Sequence, residues 1–482
     1  MKKEELKLDA VPISEAENIV RAMEGIVTSK FVSTNYFEKI KNCTVPRAYE
    51  VEEDILPYAV VMPKTKEEIS EILKFANAQK IPIFVRGSGT SLSAHSRPHT
   101  SGIILNLHRM QKIEIFEEYG FFECEPGVPA GKVAEELAKI NCFLPVWPGS
   151  RIVASMGGLV VNNTSGHVID TCLGKPGDYI LGLEVVLPNG DMIETGSKGL
   201  RRIAGTDLTR FFVGSDGILG VVSKIRMRLV PQFRQAYGMA EFKDLSDLAR
   251  GVQRLYRERH PAPLFMEMMA RDVAEIGYEI KGMDPPEGSI VMFVEMGFSE
   301  REAADKMMEV VGVFEAEKAI KTYAIPDLDI WHKIWGAREV IGPYLMQQNS
   351  DIVNSAEVVS NLKDLVEFMD DAVNFNKGLH LLGGLRNYLY GHIGDLTLHP
   401  TFLIPRNWDR EMKLAAIKET FQREAELNLK YGTCGGEWGQ LSLRKEFFVN
   451  KFGEKGYGLI ENMKKMMDPN NILNPGILEG YR

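Results

Sequence analysis

Four glycine-rich turns follow one another between Val85 and Val222, each set between short apolar, β-branched runs: VRGSGTSLS, PVWPGSRIVASMGGLVVNNTSGH, GDYILGLEVVLPNGD and FFVGSDGILGVV. Glycine is the residue for backbone that turns through φ > 0 or passes close to a ligand. Turns of this kind, repeated at strand ends inside one domain-sized span, suit a long anionic ligand held by backbone N–H groups. The first turn reads Arg86-Gly87-Ser88-Gly89-Thr90-Ser91 and follows a strand. Leu92 stands where the dinucleotide fingerprint G-x-G-x-x-G requires its last glycine, which argues against a Rossmann site.

Composition narrows the class. The chain of 482 residues has room for about two or three domains. Its 57 basic and 66 acidic residues leave a net charge of −9, which argues against a phosphate-tracking nucleic-acid binder but allows a local basic pocket. The cysteines, Cys43, Cys124, Cys142, Cys172 and Cys434, are odd in number and form no C-x-x-C pair. A disulfide framework, a structural zinc site and an iron–sulfur cluster held by this chain are therefore not expected. The N-terminal stretch lacks the apolar core of a signal peptide, and no run of 18 apolar residues is present. Free thiols in a reducing cytoplasm are the expectation.

Residues 64–79 place Ile69, Ile72, Leu73 and Ala76 on one helical face, and IPIFV after them reads as a strand leading into the first turn. Strands are expected at 103–107 and 113–116 and a helix at 131–140, an α+β pattern without regular βαβ units. Pro231 closes the run SKIRMRLV. Beyond it, helical stretches at 246–257, 301–311 and 361–375 alternate with strands such as SIVMFVEM, and 410–431 reads as one long helix. The expected division is a first domain over 1–231, a second α+β domain that caps it over 232–420, and a C-terminal segment over 421–482 that ends in the turn-rich DPNNILNPGI.

The order of these motifs resembles the vanillyl-alcohol oxidase family, with its PCMH-type FAD-binding domain, and within it the FAD-linked glycolate oxidase/D-lactate dehydrogenase branch. The resemblance runs from about residue 59 to residue 476. It implies that the backbone amides of Gly87 to Ser91, with the hydroxyls of Ser88, Thr90 and Ser91 next to Arg86, hold the FAD pyrophosphate. Pro148, Gly149, Ser150, Gly157, Gly158, Asn162 and Ser165 match the second FAD segment, which needs small residues where the flavin ring lies flat. Gly220 and Val221 match the third, on the adenine side. Asn474, in Asn474-Pro475-Gly476, matches the closing segment that returns to the flavin. Several members link the flavin to a histidine in the first loop. Thr90 stands there in this chain and His95 is out of register, so FAD is expected to be non-covalent.

A second constellation carries chemistry. In Gly391-His392-Ile393-Gly394-Asp395-Leu396-Thr397-Leu398-His399, two histidines and an aspartate around a glycine turn can converge on one metal. The segment resembles the family's H-x-G-D-x-x-x-H motif. That implies His392, His399 and the downstream Glu437 as ligands of a divalent metal (Zn, Fe or Mn), with positions left open for substrate oxygens. The chain departs from the family twice. Asp395-Leu396-Thr397 replaces D-G-N, and Trp438 replaces the histidine that follows the glutamate and is the proposed catalytic base. An indole donates a hydrogen bond but cannot accept a proton. Three readings stay open: a base elsewhere, with His380 or a metal-bound hydroxide as candidates; a bulkier or aromatic substrate stacking on Trp438; or loss of 2-hydroxy-acid chemistry. Arg338 matches the family's arginine for the substrate carboxylate, a role its planar fork suits. Arg386 is a second candidate.

The resemblance implies an FAD-dependent oxidoreductase that oxidises a D-2-hydroxy acid of the lactate, glycolate or hydroxyglutarate type to the 2-oxo acid, with hydride transfer to flavin and metal assistance. Electrons would pass to a partner, an electron-transfer flavoprotein or an iron–sulfur subunit, and the chain is expected as a homo-oligomer or complex subunit. The alternatives are a flavin enzyme of another, bulkier alcohol or aromatic substrate, and a flavoprotein subunit that relays electrons in a complex.

Overall fold

Three large sheets and a two-stranded pairing of Cys142–Phe143 with Val230–Pro231 carry the described chain, and the spacing of apolar residues along the strands decides which faces are buried. The computed structural model describes residues 13–44, 56–91, 97–146, 148–164, 166–167, 170–199, 205–258, 263–348, 350–433 and 444–478. The first sheet has the order Val32–Ser33, Ala59–Val61, Ile103–Asn106, Ile83–Arg86, and its last three strands are parallel. Helix Lys66–Gln79 covers it. The helix starts at Thr65, whose hydroxyl accepts from the Glu68 N–H, and its Ile69, Ile72, Leu73 and Ala76 are fully buried, as their spacing predicts.

The second sheet is antiparallel, in the order Ile113–Phe116, Phe121–Cys124, Val221–Arg228, Ile180–Val186, Met192–Glu194. Helices Ala130–Ala138 and Met156–Asn162 pack on it through Val133, Leu137, Leu159 and Val160. Val186 and Val221, from its central strands, are buried in the core of the first sheet, so the two sheets share a seam.

After Pro231 the chain builds a large antiparallel sheet. Its order is Lys321–Ile325, Arg234–Phe242, Ser289–Gly297, Phe265–Met269, Tyr388–Gly391, Thr397–Pro405, Ser350–Ser355, with an eighth, two-residue strand, Val358–Val359, also pairing with Thr397–Pro405. Both faces are covered. Met266, Met268, Val291, Phe293, Leu398 and Phe402 face helices Leu245–Arg257, Glu300–Ala316, Leu365–Val373 and Arg410–Lys430. Phe265, Met269, Ile290 and Met292 face helices Arg271–Ile280, Leu328–Glu339 and Ile341–Gln347. This two-sided burial explains why the strands read as continuous apolar runs rather than as alternating ones. The helix expected over 361–375 begins only at Leu365, because Asn361 forms a turn in which its side chain accepts from the Asp364 N–H.

The C-terminal stretch returns to the first two sheets. Helix Arg444–Met467, kinked at Gly453, lays Phe448, Ile460 and Met463 on the second core, and Ile472 and Leu473 enter the first. Asn474 then closes the structure. Its Oδ1 accepts from the Val85 N–H at 2.9 Å, and its Nδ2 donates to the carbonyls of Gly217 (3.0 Å) and Asp216 (3.3 Å). One buried amide therefore joins the first glycine turn, the fourth glycine turn and the chain end. Among the described residues, no helix is long and apolar enough to cross a membrane.

Asn474→Ala strips partners from the buried Val85 N–H and the Gly217 carbonyl, and an unsatisfied buried group costs about 1–3 kcal/mol. Thermal unfolding of the purified variant is expected at a temperature several degrees below wild type, with reduced flavin content. An unchanged midpoint and full flavin occupancy would show that the closure is dispensable.

Candidate functional site

The glycine turns form a cradle that no larger residue fits. A Cβ at Gly87 would lie 2.0 Å from the Ser155 Oγ, at Gly157 2.6 Å from the Pro126 Cβ, and at Gly220 2.5 Å from the Val185 Cγ1. Gly89 adopts φ 68°, and the Arg86 guanidinium fills the space where its Cβ would point. That guanidinium donates to the carbonyls of Thr44 and Lys41, so Arg86 braces the loop from beneath. The Ser88 N–H donates to the Ser155 Oγ at 3.3 Å, tying the first glycine turn to the second. The Ser88 Oγ itself is buried and has no hydrogen-bond partner among the described residues. A buried hydroxyl without a partner in a glycine-lined cradle is the donor that a phosphate oxygen requires, and in this respect the residues present fit FAD. Thr90, Ser91, Pro148, Gly149, Ser150, Gly158, Asn162 and Val221 lie in the same turns or at their edges. Ser165 lies outside the described residues.

A second group of polar side chains is buried between the large sheet and this cradle. Glu267 is its centre. Strand Phe265–Met269 alternates faces, which puts Glu267 on the same side as Phe265 and Met269, towards helix Leu328–Glu339, and wholly out of solvent. Its Oε1 receives Nδ1 of His167, at 3.1 Å, and Nδ1 of His392, while its Oε2 accepts from the Arg338 Nε at 3.2 Å. His399 belongs to the same buried group. Its ring centroid is 5.2 Å from that of His392, nearly perpendicular to it, and its Nδ1 lies 3.3 Å from the Ala356 carbonyl oxygen. The Arg338 guanidinium carbon sits 4.5 Å from the Tyr390 ring centroid. Trp335 packs edge-on against His167, and Phe265 packs against Trp335.

The backbone around the histidines is tight. A Cβ at Gly391 would come within 2.6 Å of the Thr397 carbonyl oxygen, so only glycine lets the His392 strand pass the His399 strand this closely. Leu396, in the turn between them, is held in the left-handed region at φ 64°. A non-glycine residue there costs on the order of 1–3 kcal/mol, which the surrounding sheet must offset. This is the position where the family pattern carries glycine.

The charge states follow from burial and neighbours. Burial would raise the Glu267 carboxyl, but His392, His167 and Arg338 together hold it well below the usual carboxylate range. Burial would lower His392, but the Glu267 charge outweighs this and holds it at about 9. His399 is pushed well below its ordinary value by burial, then by the neighbouring His392 and Arg338 charges. His167 is lowered, again chiefly by burial.

The structure thus brings Arg338, His392 and His399 together, as the sequence pattern implies, and adds two residues that pattern did not single out. His167 ends the segment Asn162-Asn163-Thr164-Ser165-Gly166-His167 and comes from the cradle side. Glu267 is a lone acid inside the apolar strand FMEMM, and an ionisable residue at an inward strand position was the available signal. His167, Glu267 and His392 offer ligand atoms within 4.8 Å of one another. His380 is not part of this group: its side chain is exposed, and only its backbone N–H donates to the Glu419 carboxylate. Arg386 is also elsewhere, paired with Asp272 at the surface. Glu437 and Trp438 lie outside the described residues.

Comparison with known proteins shows the family of the chain. Residues 57–196 match the family model described as FAD binding domain, and residues 231–478 match that of the FAD linked oxidases, C-terminal domain. The chain is 30% identical over 442 residues to the glycolate oxidase subunit GlcD of Bacillus subtilis, covering 87% of this chain and 88% of that protein. It is 29% identical over 453 residues to a D-lactate dehydrogenase of Archaeoglobus fulgidus, covering 91% and 94%. Among solved structures, p-cresol methylhydroxylase superposes with a TM-score of 0.77 at 19% identity, over 97% of this chain and 98% of that one. The 4-ethylphenol oxidase from Gulosibacter chungangensis gives 0.76 at 17%, over 98% of each chain. These two likenesses concern the fold alone.

Ser88→Ala removes a hydroxyl that pairs with nothing described in the protein. The stability of the cofactor-free protein is expected to hold or rise slightly. FAD affinity is expected to fall about tenfold, the worth of one hydrogen bond of roughly 1.4 kcal/mol. Flavin titration of the apoprotein by fluorescence quenching measures both sides, and equal affinity in the two proteins would remove Ser88 from the cofactor site.

Proposed function

This chain belongs to the FAD-linked oxidases, and from that premise we propose that it oxidises a D-2-hydroxy acid of the lactate, glycolate or hydroxyglutarate type to the 2-oxo acid. The observation that carries the reading is the state of Arg338. Its guanidinium is buried, held through Nε by Glu267, and its two Nη atoms have no hydrogen-bond partner among the described residues. A buried fork held in place with its outer edge open suits a carboxylate bound bidentately. The glycolate oxidase and D-lactate dehydrogenase names of the relatives point to the same substrate class.

Each group has a task in this reading. Arg338 holds the substrate carboxylate, which directs the neighbouring C2 hydroxyl towards the histidines. His392 and His399, with Glu437, would hold a divalent cation, and FAD would be held without a covalent link. When bound, the cation would supply a Lewis acid for the hydroxyl and FAD the acceptor for the hydride leaving C2, while the hydroxyl proton would pass to His167, an imidazole that burial keeps neutral. Trp335, Phe265 and Tyr390 wall the site and exclude water. Electrons then leave to a partner protein, an electron-transfer flavoprotein or an iron–sulfur subunit. The same aromatic wall favours, as a second reading, a bulkier hydroxy acid or aromatic alcohol.

Anaerobic mixing with D-lactate, glycolate, D-2-hydroxyglutarate and aromatic alcohols decides between these. Bleaching of the flavin band by a hydroxy acid supports the first reading, bleaching by an aromatic alcohol alone supports the second, and no bleaching by any of them refutes both. With the active substrate, Arg338→Lys replaces the fork by a point charge. KM is expected to rise about 10–100-fold, since roughly 1.5–3 kcal/mol of charge-assisted bonding is at risk. His392→Ala should lose most of the bound divalent metal, measured by elemental analysis, while flavin content stays at the wild-type level; full metal occupancy in that variant would refute the ligand assignment.

A further inference from the structure

Glu267 touches both imidazoles at the same ring atom, and this constrains what each ring can do. An ionised carboxylate only accepts hydrogen bonds. The Nδ1 atoms of His167 and His392, both directed at the Glu267 Oε1, must therefore carry the hydrogens. The Ala356 carbonyl imposes the same tautomer on His399. A ring that takes a cation gives up its Nε2 hydrogen to do so, and the lone pair it then offers sits on Nε2, on the edge turned away from its acceptor. A histidine that binds a metal commonly donates its other N–H to a carboxylate or a carbonyl, which fixes the ring and strengthens it as a donor.

Glu267 is itself close enough to its neighbours to be mistaken for a metal ligand. Its bonding argues otherwise. Both oxygens are already engaged, one by two imidazoles and the other by the Arg338 guanidinium. A cation on Glu267 would have to break these bonds and sit beside a buried guanidinium.

We propose that Glu267 is the outer carboxylate of the metal centre: it binds no cation, but holds His392 by Nδ1–H so that Nε2 meets the metal, and holds His167 in the same tautomer on the same oxygen. This rests on the assignment of His392 and His399 as cation ligands. It also gives His167 a place. Its ring is locked between Glu267, Trp335 and His392, and its Nε2 lies towards Gly149, 3.8 Å from where a Cβ on that residue would stand. Glu267 thus sets one ring from the flavin-binding half and one from the large sheet in fixed register. It is a positioning residue, acting through the rings it holds.

The test compares Glu267→Gln and His392→Ala in the flavin-loaded protein, with zinc or manganese affinity read by chelator competition alongside flavin content and the thermal midpoint. Glu267→Gln is expected to weaken the metal 10–100-fold with flavin content unchanged, the range found when such supporting partners are removed. If His392→Ala loses the metal while Glu267→Gln keeps wild-type affinity, the inference is overturned and the ligand assignment stands. If His392→Ala also keeps the metal, both fall. Should Glu267→Gln fail to fold around the unpaired Arg338, anomalous diffraction from the wild-type protein soaked with manganese decides. Manganese on the His392 Nε2, with Glu267 still on the two Nδ1 atoms, supports the role, and manganese bonded to Glu267 overturns it.

Discussion

A carboxylate with no solvent exposure, in the middle of an eight-stranded sheet, must be matched in full or the sheet does not form around it. Transfer of an isolated charge into a protein interior is prohibitive, and removing one partner from a buried pair costs about 3–5 kcal/mol. Glu267 meets this condition with three donors drawn from three separate parts of the chain: His167 from the cradle side, Arg338 from helix Leu328–Glu339 and His392 from the turn after Tyr388–Gly391. The requirement to match one charge therefore fixes the relative placement of the elements that carry the site. A hydrophobic residue at position 267 would pack with Phe265 and Met269 at lower cost in desolvation, so the acid is retained at the expense of simpler packing. Its neighbours are the residues that carry the proposed chemistry.

The cradle is organised by the opposite principle. There the protein withholds side chains rather than placing them. Gly87, Gly157 and Gly220 remove Cβ atoms at points where the backbone passes within van der Waals contact of its neighbours, and the Ser88 hydroxyl is left without a described partner. Rigidity comes from behind the loops, through Arg86 on the carbonyls of Lys41 and Thr44, and through Asn474 across two turns. A ligand then meets preformed N–H groups without first having to order them.

The parts of the molecule legible in the sequence are those with local causes. Apolar spacing identified helix Lys66–Gln79 and helix Arg410–Lys430, and the glycine turns stand out because φ > 0 and close approach are local demands. The pair His392 and His399 was legible because one short turn carries both. Glu267 and His167 were not, because nothing near either residue announces the other. They meet only through strand register and the docking of the large sheet on the cradle. Arg386 and His380 illustrate the converse. Each has suitable chemistry and lies close in sequence to the site, yet Arg386 pairs with Asp272 at the surface and the His380 side chain is exposed, while Phe375 and Leu382 in the same stretch turn into the core.

The bond between Asn474 and the Val85 N–H spans 389 residues, and strand Ile83–Arg86 also pairs with Leu473. Contacts of such separation pay the loop-closure entropy of almost the whole chain before they return any stability. During synthesis, the first glycine turn leaves the ribosome long before the residue that locks it. At a translation rate of roughly 5–20 residues per second, the interval is tens of seconds. The flavin cradle is thus exposed and unfinished for most of the time the chain is being made, and capture of the cofactor becomes one of the last events of folding. A cell that makes this protein faster than it can supply flavin would accumulate chains whose unfinished part is the one nearest the active centre.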